Sequence, residues 1–235
     1  MKLPNEISQK KILIYGLGKS GRSSLKYLKK KNKCFVYDDN SIQIEKNIKK
    51  FYISKSVLKK NLFDYIVLSP GINSRKCSLS NYLKMNKEKI LTEFDIFYIF
   101  QPRIISITIT GTNGKTTTCK LLHDILKNHG IDARLTGNIG NPLLAEKNIR
   151  PNTIFIVEAS SYQLSYSKYF RSKFSIIINV STDHLERHLT MENYIKSKLK
   201  SVTNQQKNDI SIIQNNILIK KIIKKKTINS KIIYL

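Results

Sequence analysis

Twice in this chain an apolar strand pattern runs straight into a glycine-containing turn and then into a helical pattern. The first junction is "KILIYGLGKSG", residues 11–21, and the second is "RIISITITGTNGKTTT", residues 103–118. A strand that feeds a helix through a short turn brings the next strand back in the same direction, so such units build parallel sheets of the βαβ kind. The first series continues through a helix from about Ser20 to Lys31, the strand "CFVYD" (34–38), a polar helix and "FDYIVLSPG" (63–71). The second continues through a helix at about Lys115 to Asn128 and the strands "TIFIVEAS" (153–160) and "FSIIINVS" (174–181). The fold class is therefore α/β. A chain of 235 residues can hold two modest cores. Between the two series, the apolar and helical piece "TEFDIFYIFQP" closes on Pro102 and marks the boundary.

"GLGKSG", Gly16 to Gly21 with Gly18, Lys19 and Ser20 inside it, is a GxGxxG turn in its required context, with Asp38 and Asp39 ending the next strand. Its glycines let backbone amides approach a diphosphate at a helix N-terminus. A dinucleotide or a UDP-sugar fits equally, and a merely tight turn is the plain alternative. "SPGI", with Ser69, Pro70 and Gly71, sits at the carboxyl end of the third strand and can close over the same site. Residues 1–101 thus read as a Rossmann-like domain, and residues 102–235 as a P-loop-type ATPase domain.

The second junction departs from the strict GxxxxGK[ST] pattern, since Ile109 stands where the first glycine belongs. The physics survives. Gly111, Thr112, Asn113 and Gly114 form the turn, Lys115 reaches terminal phosphates as a point charge, and the Thr116 hydroxyl suits Mg²⁺. Thr117 and Thr118 continue the first helical turn. Glu158 ends the strand "TIFIVE" at the edge facing this loop, and Mg²⁺ takes oxygen ligands. "STDHLERH" (181–188) offers Asp183, His184 and His188 at HxExH spacing, which matches neither zinc-protease pattern, so His188 reads as a packing residue. His123 and His129 read as surface residues.

The formal charge of +26 is mostly lysine spread among isoleucine and asparagine. Without an arginine-aromatic cluster or a nucleic-acid module, it reads as a solvated coat whose field attracts phosphorylated small molecules, with neither nucleic acid nor membrane as partner. Cys34, Cys77 and Cys119 lack disulfide or zinc spacing, which fits a reducing cytosol. No apolar run approaches the roughly 18 residues of a membrane span.

Taken together, "TGTNGKTTT", "TGNIGNPL", "VEASSYQL", "NVSTDHLERH" and "YIKSKLK", in this order, resemble the ATP-dependent Mur ligases of peptidoglycan synthesis. With the "GLGKSG" domain in front, the chain resembles the branch that joins D-glutamate to UDP-N-acetylmuramoyl-L-alanine in the cytoplasm through an acyl phosphate. The resemblance implies that Gly111 to Thr118 hold ATP phosphates, Thr116 and Glu158 a first Mg²⁺, and His184 a second. Lys115, His184 and Lys198 would be the catalytic side chains. Asn138 and Ser160 would meet the muramoyl-peptide substrate, and Gly16 to Gly21, Asp38, Asp39 and Ser69 to Gly71 its UDP end. Lys198 falls on a lysine carried as a carbamate, a Mg²⁺ ligand. Sequence alone gives it no distinction from Lys196 or Lys200, all three reading as a solvated helix face.

The closing "KIIYL" (231–235) reads either as an edge strand or as a second domain stopping before its usual end, and the latter is our expectation. The family's third, C-terminal domain would then be missing, so the chain is expected to bind the UDP-sugar, with ATP as a second candidate ligand, and to ligate poorly or not at all alone, unless a separately encoded C-terminal portion restores activity. A folylpolyglutamate-type ligase, a nucleic-acid binder and a non-catalytic nucleotide-binding fragment remain the rival readings.

Overall fold

The computed structural model describes residues 6–40, 45–60 and 62–235. Its first sheet holds β1 (Lys11–Tyr15), β2 (Lys33–Tyr37), β3 (Tyr65–Leu68) and β4 (Ile90–Leu91) in the order β2-β1-β3-β4, parallel throughout. Helices α1 (Lys19–Leu28), α2 (Lys46–Lys49), α3 (Lys55–Lys60) and α4 (Ser80–Met85) connect these strands. The single polar helix expected between the second and third strands is thus two short ones. Side chains alternate across β1: Ile12 and Ile14 enter one core, Leu13 and Tyr15 another, so this sheet is covered on both faces.

Helix α5 (Glu93–Phe100) follows, started by a capping box in which the Thr92 side chain accepts from the Asp95 amide and Asp95 reaches back to the Thr92 amide. It is nearly all apolar and buried, as a helix wedged between two layers must be. Phe94 lies against Phe170, and Phe97 against Phe155, so one continuous core joins the first sheet to the second. The boundary expected at residues 101 and 102 falls just after this helix, whereas the core runs across it.

The second sheet holds β5 (Ile105–Thr110), β6 (Ala133–Gly137), β7 (Ile154–Glu158), β8 (Phe174–Ile177), β9 (Ile210–Ile213) and β10 (Lys231–Tyr234) in the order β10-β9-β8-β5-β7-β6, again parallel. Helix α6 (Lys115–Asn128) covers one face, packing its Cys119 over Ile109, Ala133 and Ile156. On the other, α7 (Ser161–Ser165) and α8 (Leu185–His188) lead to α9 (Met191–Lys198), α10 (Lys200–Thr203) and α11 (Ile217–Ile223). The last three pack over Ile177 and Ile213. β10 is an edge strand paired to β9. All three cysteines are free thiols. No helix among the described residues is long and apolar enough to cross a membrane.

Candidate functional site

In both sheets the chain turns from a central strand into a helix at the carboxyl edge, where open parallel sheets bind ligands. After β5, Gly114 takes φ +80°, a left-handed conformation that glycine enters without strain, and serves as N-cap of α6 with no side chain over it. The first-turn amides of α6 therefore point out of the helix end, with its positive dipole behind them. The turn is braced from β8's side: Asn179 Oδ1 accepts from the amides of Thr112 (3.0 Å) and Asn113 (2.9 Å), and its Nδ2 donates to Asn113 O. Sequence reading missed Asn179. A polar residue directly after an apolar strand, beside the phosphate loop, was the available signal.

Two ammonium groups meet on one carbonyl here. Lys115 Nζ donates to Gly111 O at 3.0 Å and to Thr112 O at 2.7 Å, and Lys198 Nζ donates to Gly111 O at 2.7 Å. Lys198 is only 1% exposed, which corrects its reading as part of a solvated face: Lys196 beside it is exposed and paired with Glu192. Burial first, then the Lys115 charge, push the Lys198 amine down to about 7, against the pull of Asp183. Its Nζ lies 4.4 Å from the centre of the Tyr194 ring, whose hydroxyl is 3.2 Å from Thr112 Oγ1. Tyr194, another residue without a role in the sequence reading, also contacts His184, with ring centres 6.1 Å apart.

His184 sits at φ +51° as N-cap of α8, its ring against Tyr162 and Nε2 3.4 Å from Asp183. His188 is buried, its Nε2 2.9 Å from Ser161 Oγ, as a packing residue would be. Burial, then the charges of Arg187, His184 and Lys198, push its imidazole down to about 4, so it is neutral at pH 7. His129 is exposed and His123 half-buried.

Glu158, 1% exposed at the end of β7, accepts from Thr116 Oγ1 (2.8 Å) on one oxygen and from Asn138 Nδ2 (2.7 Å) on the other. This run connects the phosphate loop to a cavity of about 380 Å³ at the carboxyl edge of the first sheet. Gly16, Gly18, Lys19, Ser20, Asp38, Ser69, Pro70, Gly71 and Asn138 line it, so the first glycine turn, "SPGI" and Asn138 open on shared ground, while Gly111 to Thr118 lie outside it. Gly21, Asp39 and Ser160 do not. Gly21 lies under the turn, where a Cβ would come within 1.8 Å of Gly16 O. Asp39 faces away, accepting from Tyr15 and Ser78, and Ser160 is engaged in the capping box of α7 with Gln163.

The same cavity exposes a residue that sequence reading passed over. Glu93 is 4% exposed and accepts from Ser20 Oγ (2.6 Å) and the Leu144 amide (3.1 Å), tying the first glycine turn to the second sheet. Burial pushes its carboxyl up to about 7 despite these hydrogen bonds. Arg187 adds a second tie, donating to the carbonyls of Pro70 and Ile72 in the "SPGI" loop.

A double parallel α/β architecture whose second sheet carries a phosphate loop facing a buried glutamate and a buried lysine defines a recognisable class. The chain belongs to the Mur ligase family: the family model for the Mur ligase middle domain matches residues 109–234. Among curated proteins it is similar to UDP-N-acetylmuramoylalanine–D-glutamate ligase of Caldicellulosiruptor saccharolyticus, 34% identical over 218 residues that cover 87% of this chain and 48% of that one. The protein of the same name from Rickettsia prowazekii is 33% identical over 217 residues, covering 89% and 47%. The chain thus spans about half the length of these curated relatives. Among solved structures, UDP-N-acetylmuramate:L-alanyl-gamma-D-glutamyl-meso-diaminopimelate ligase from Neisseria meningitides has a similar fold, with a TM-score of 0.57 at 13% identity, covering 97% of this chain and 78% of that one.

Proposed function

We propose that this chain carries the nucleotide and UDP-sugar sites of a cytoplasmic, ATP-dependent ligase that joins D-glutamate to UDP-N-acetylmuramoyl-L-alanine. In this reading residues 1–101 form the UDP-sugar domain and residues 102–235 the ATP domain. The observation that carries it is the run Thr116–Glu158–Asn138, which links the phosphate loop to the cavity at the first glycine turn. A substrate whose UDP end lies in that cavity and whose carboxylate extends past Asn138 would reach the terminal phosphate of ATP held at Gly111 to Thr118.

The electrostatic problem is to bring a carboxylate onto a triphosphate. Each like-charge pair at about 4 Å costs about 4 kcal/mol at an effective dielectric near 20. Lys115, already folded over the loop, and the open end of α6 supply fixed positive charge there. A substrate carboxylate oxygen bonds to the terminal phosphorus as the bond from that phosphorus to the bridging oxygen breaks, giving an acyl phosphate and releasing ADP. The amine of D-glutamate then attacks its carbonyl carbon, the amide forms, and phosphate leaves with the bonding electrons. Mg²⁺ would neutralise the oxygens of both phosphate and carboxylate. Thr116 and Glu158 fit such a hard cation, offering a hydroxyl and a carboxylate 2.8 Å apart. Lys198 as an ammonium does not, because it donates rather than ligates, and as a neutral amine it offers nitrogen where Mg²⁺ takes oxygen. As a carbamate it would, on the Tyr194 ring that His184 also contacts. With its amine pushed down to about 7, roughly half the lysine is neutral at pH 7, against about 1 in 2,500 for an unperturbed one, so reaction with CO₂ is favoured.

Calorimetric titration of ATP with Mg²⁺, and separately of UDP-N-acetylmuramoyl-L-alanine, into the purified chain tests this reading. Both should bind. Lys115→Met should weaken ATP at least about tenfold while leaving the UDP-sugar unchanged. An ATP affinity indifferent to Lys115→Met removes the basis of the proposal.

A further inference from the structure

Helix α9 has a second functional-looking face. Asn193, Lys196, Ser197 and Lys200 are spaced i, i+3, i+4 and i+7 and share one side of the α9–α10 run, turned away from Lys198. Together they wall a separate cavity of about 350 Å³. Its cations arrive from well-separated segments: Arg75 from the loop after β3, Arg187 from α8, Lys196 and Lys200 from α9 and α10, and Lys226 from beyond α11. No carboxylate lines it among the described residues. Another basic cavity, beside α1, gathers Lys19, Arg22, Lys26, Lys30 and Lys147 but includes the carboxylate of Glu146, whereas the five cations here share their concavity with none.

The charges are poorly compensated. Lys196 pairs with Glu192 at 2.7 Å, both about half exposed to solvent. Arg187 spends its donors on the neutral carbonyls of Pro70 and Ile72. Arg75, Lys200 and Lys226 form no ion pair among the described residues. Burial, then repulsion from Lys200 and Lys196, lower the affinity of the Lys226 amine for its proton. Cations forced together in a cavity are relieved by an anion of matching charge. The volume suits a small ligand rather than a macromolecular surface. Arg75 offers a planar fork of donors for phosphate oxygens, and the lysines offer point charges.

We propose that this cavity binds a compact polyphosphate, of diphosphate to triphosphate size, at a site distinct from the phosphate loop. The site does not depend on the ligase reading, since none of its cations belongs to the loop or to the 380 Å³ cavity. Free polyphosphate and the phosphate tail of a nucleotide share this chemistry.

The experiment titrates inorganic tripolyphosphate, without Mg²⁺, into the full chain, into Lys115→Met and into the double variant Lys200→Gln/Lys226→Gln, with ADP as a second probe. Binding that persists in Lys115→Met and weakens about tenfold or more in the double variant supports the site. Binding of either probe counts, and the tighter one identifies the source. Circular dichroism checks that the double variant folds, and exposed Arg75→Gln, which disturbs no core, provides an independent loss of affinity. The proposal fails if the wild-type chain takes up no tripolyphosphate, if both cavity variants bind like wild type, or if Lys115→Met alone abolishes binding. It fails equally if single-stranded RNA displaces tripolyphosphate at matched phosphate concentration, which would make the cavity part of a general polyanion surface.

Discussion

Glu93 and Lys198 are buried charged residues in the two halves of the molecule, and burial moves each toward its neutral form. For Glu93 the consequence for stability has a definite sign. Its folded-state carboxyl titrates at about 7 against an ordinary 4.5, so between those values the folded chain keeps a proton that the unfolded chain releases. Stability contributed at this position is therefore present at low pH and lost as pH rises from 4.5 through 7. Glu93→Gln keeps one acceptor oxygen for the Leu144 amide and turns an NH₂ donor toward Ser20 Oγ, as the protonated acid would turn its O–H, but it cannot ionise. We expect the variant to match the wild type near pH 4 and to exceed it by about 3 kcal/mol at most near pH 8. Denaturant unfolding at both pH values measures this, and a variant-minus-wild-type difference that does not change with pH would disprove it. Spacing and composition distinguish neither residue, and Lys198 stands out only through the family resemblance. Helical spacing says that Lys198 points away from the side shared by Lys196 and Lys200, but only the packed neighbours say which direction is inward. Glu93 was hidden inside an apolar helical piece read only as a boundary.

At the scale of elements, far more was legible, because the two strand–glycine–helix junctions are governed by local chemistry. The strands of the alternating series and the helix at Lys115 stand where the pattern put them, within a residue or two at most ends. β4 and β6 were not anticipated. β4 has two residues and pairs only with Ile66 and Val67. β6 carries Arg134 within "ARLTG", a charge that reads as loop until Asp132 and Glu146 are seen to bind it. The glycines of the first junction differ in what they tolerate. A Cβ on Gly18 meets nothing within 4 Å, whereas one on Gly21 would lie 1.8 Å from Gly16 O and 2.8 Å from Ser69 Oγ. Gly21→Ala must lift α1 off β1, so we expect a loss of about 3 kcal/mol or more, with weaker binding of the UDP-sugar. Gly18→Ala should cost about 1 kcal/mol at most, through a poorer N-cap alone. Thermal unfolding of the pair gives the comparison, and equal shifts for both variants would contradict the close approach.

The two sheets behave as one body to the extent that something holds them together, and Asp95 is the strongest single tie. It is fully buried, and its Oδ2 accepts from the amide and hydroxyl of Thr92 at 2.9 Å each. Its Oδ1 accepts from Ser167 Oγ (2.9 Å) and from the amides of Lys168 (2.8 Å), Tyr169 (2.7 Å) and Phe170 (3.1 Å). One carboxylate thus starts α5 and also holds the loop between α7 and β8, with Phe94 and Phe170 in contact beside it. Asp95→Asn conserves volume but replaces one acceptor by a donor. Whichever way the amide turns, an NH₂ group then faces N–H or O–H donors at a position closed to solvent. Hydrogen bonds to a charged group contribute about 1.5–3 kcal/mol each, and several are weakened together, so a loss of about 3 kcal/mol or more follows. The shared core predicts that the wild-type sheets unfold in one transition, and the variant should separate them. Hydrogen exchange read by mass spectrometry in increasing denaturant follows both sheets in one sample. Segments of β1 and β3 and segments of β5 and β7 should lose protection at the same midpoint in the wild type and at different midpoints in Asp95→Asn, with residues 168–170 opening first. Coincident midpoints in the variant, unchanged from wild type, would show that the aromatic packing alone couples the sheets and that the carboxylate only starts its own helix.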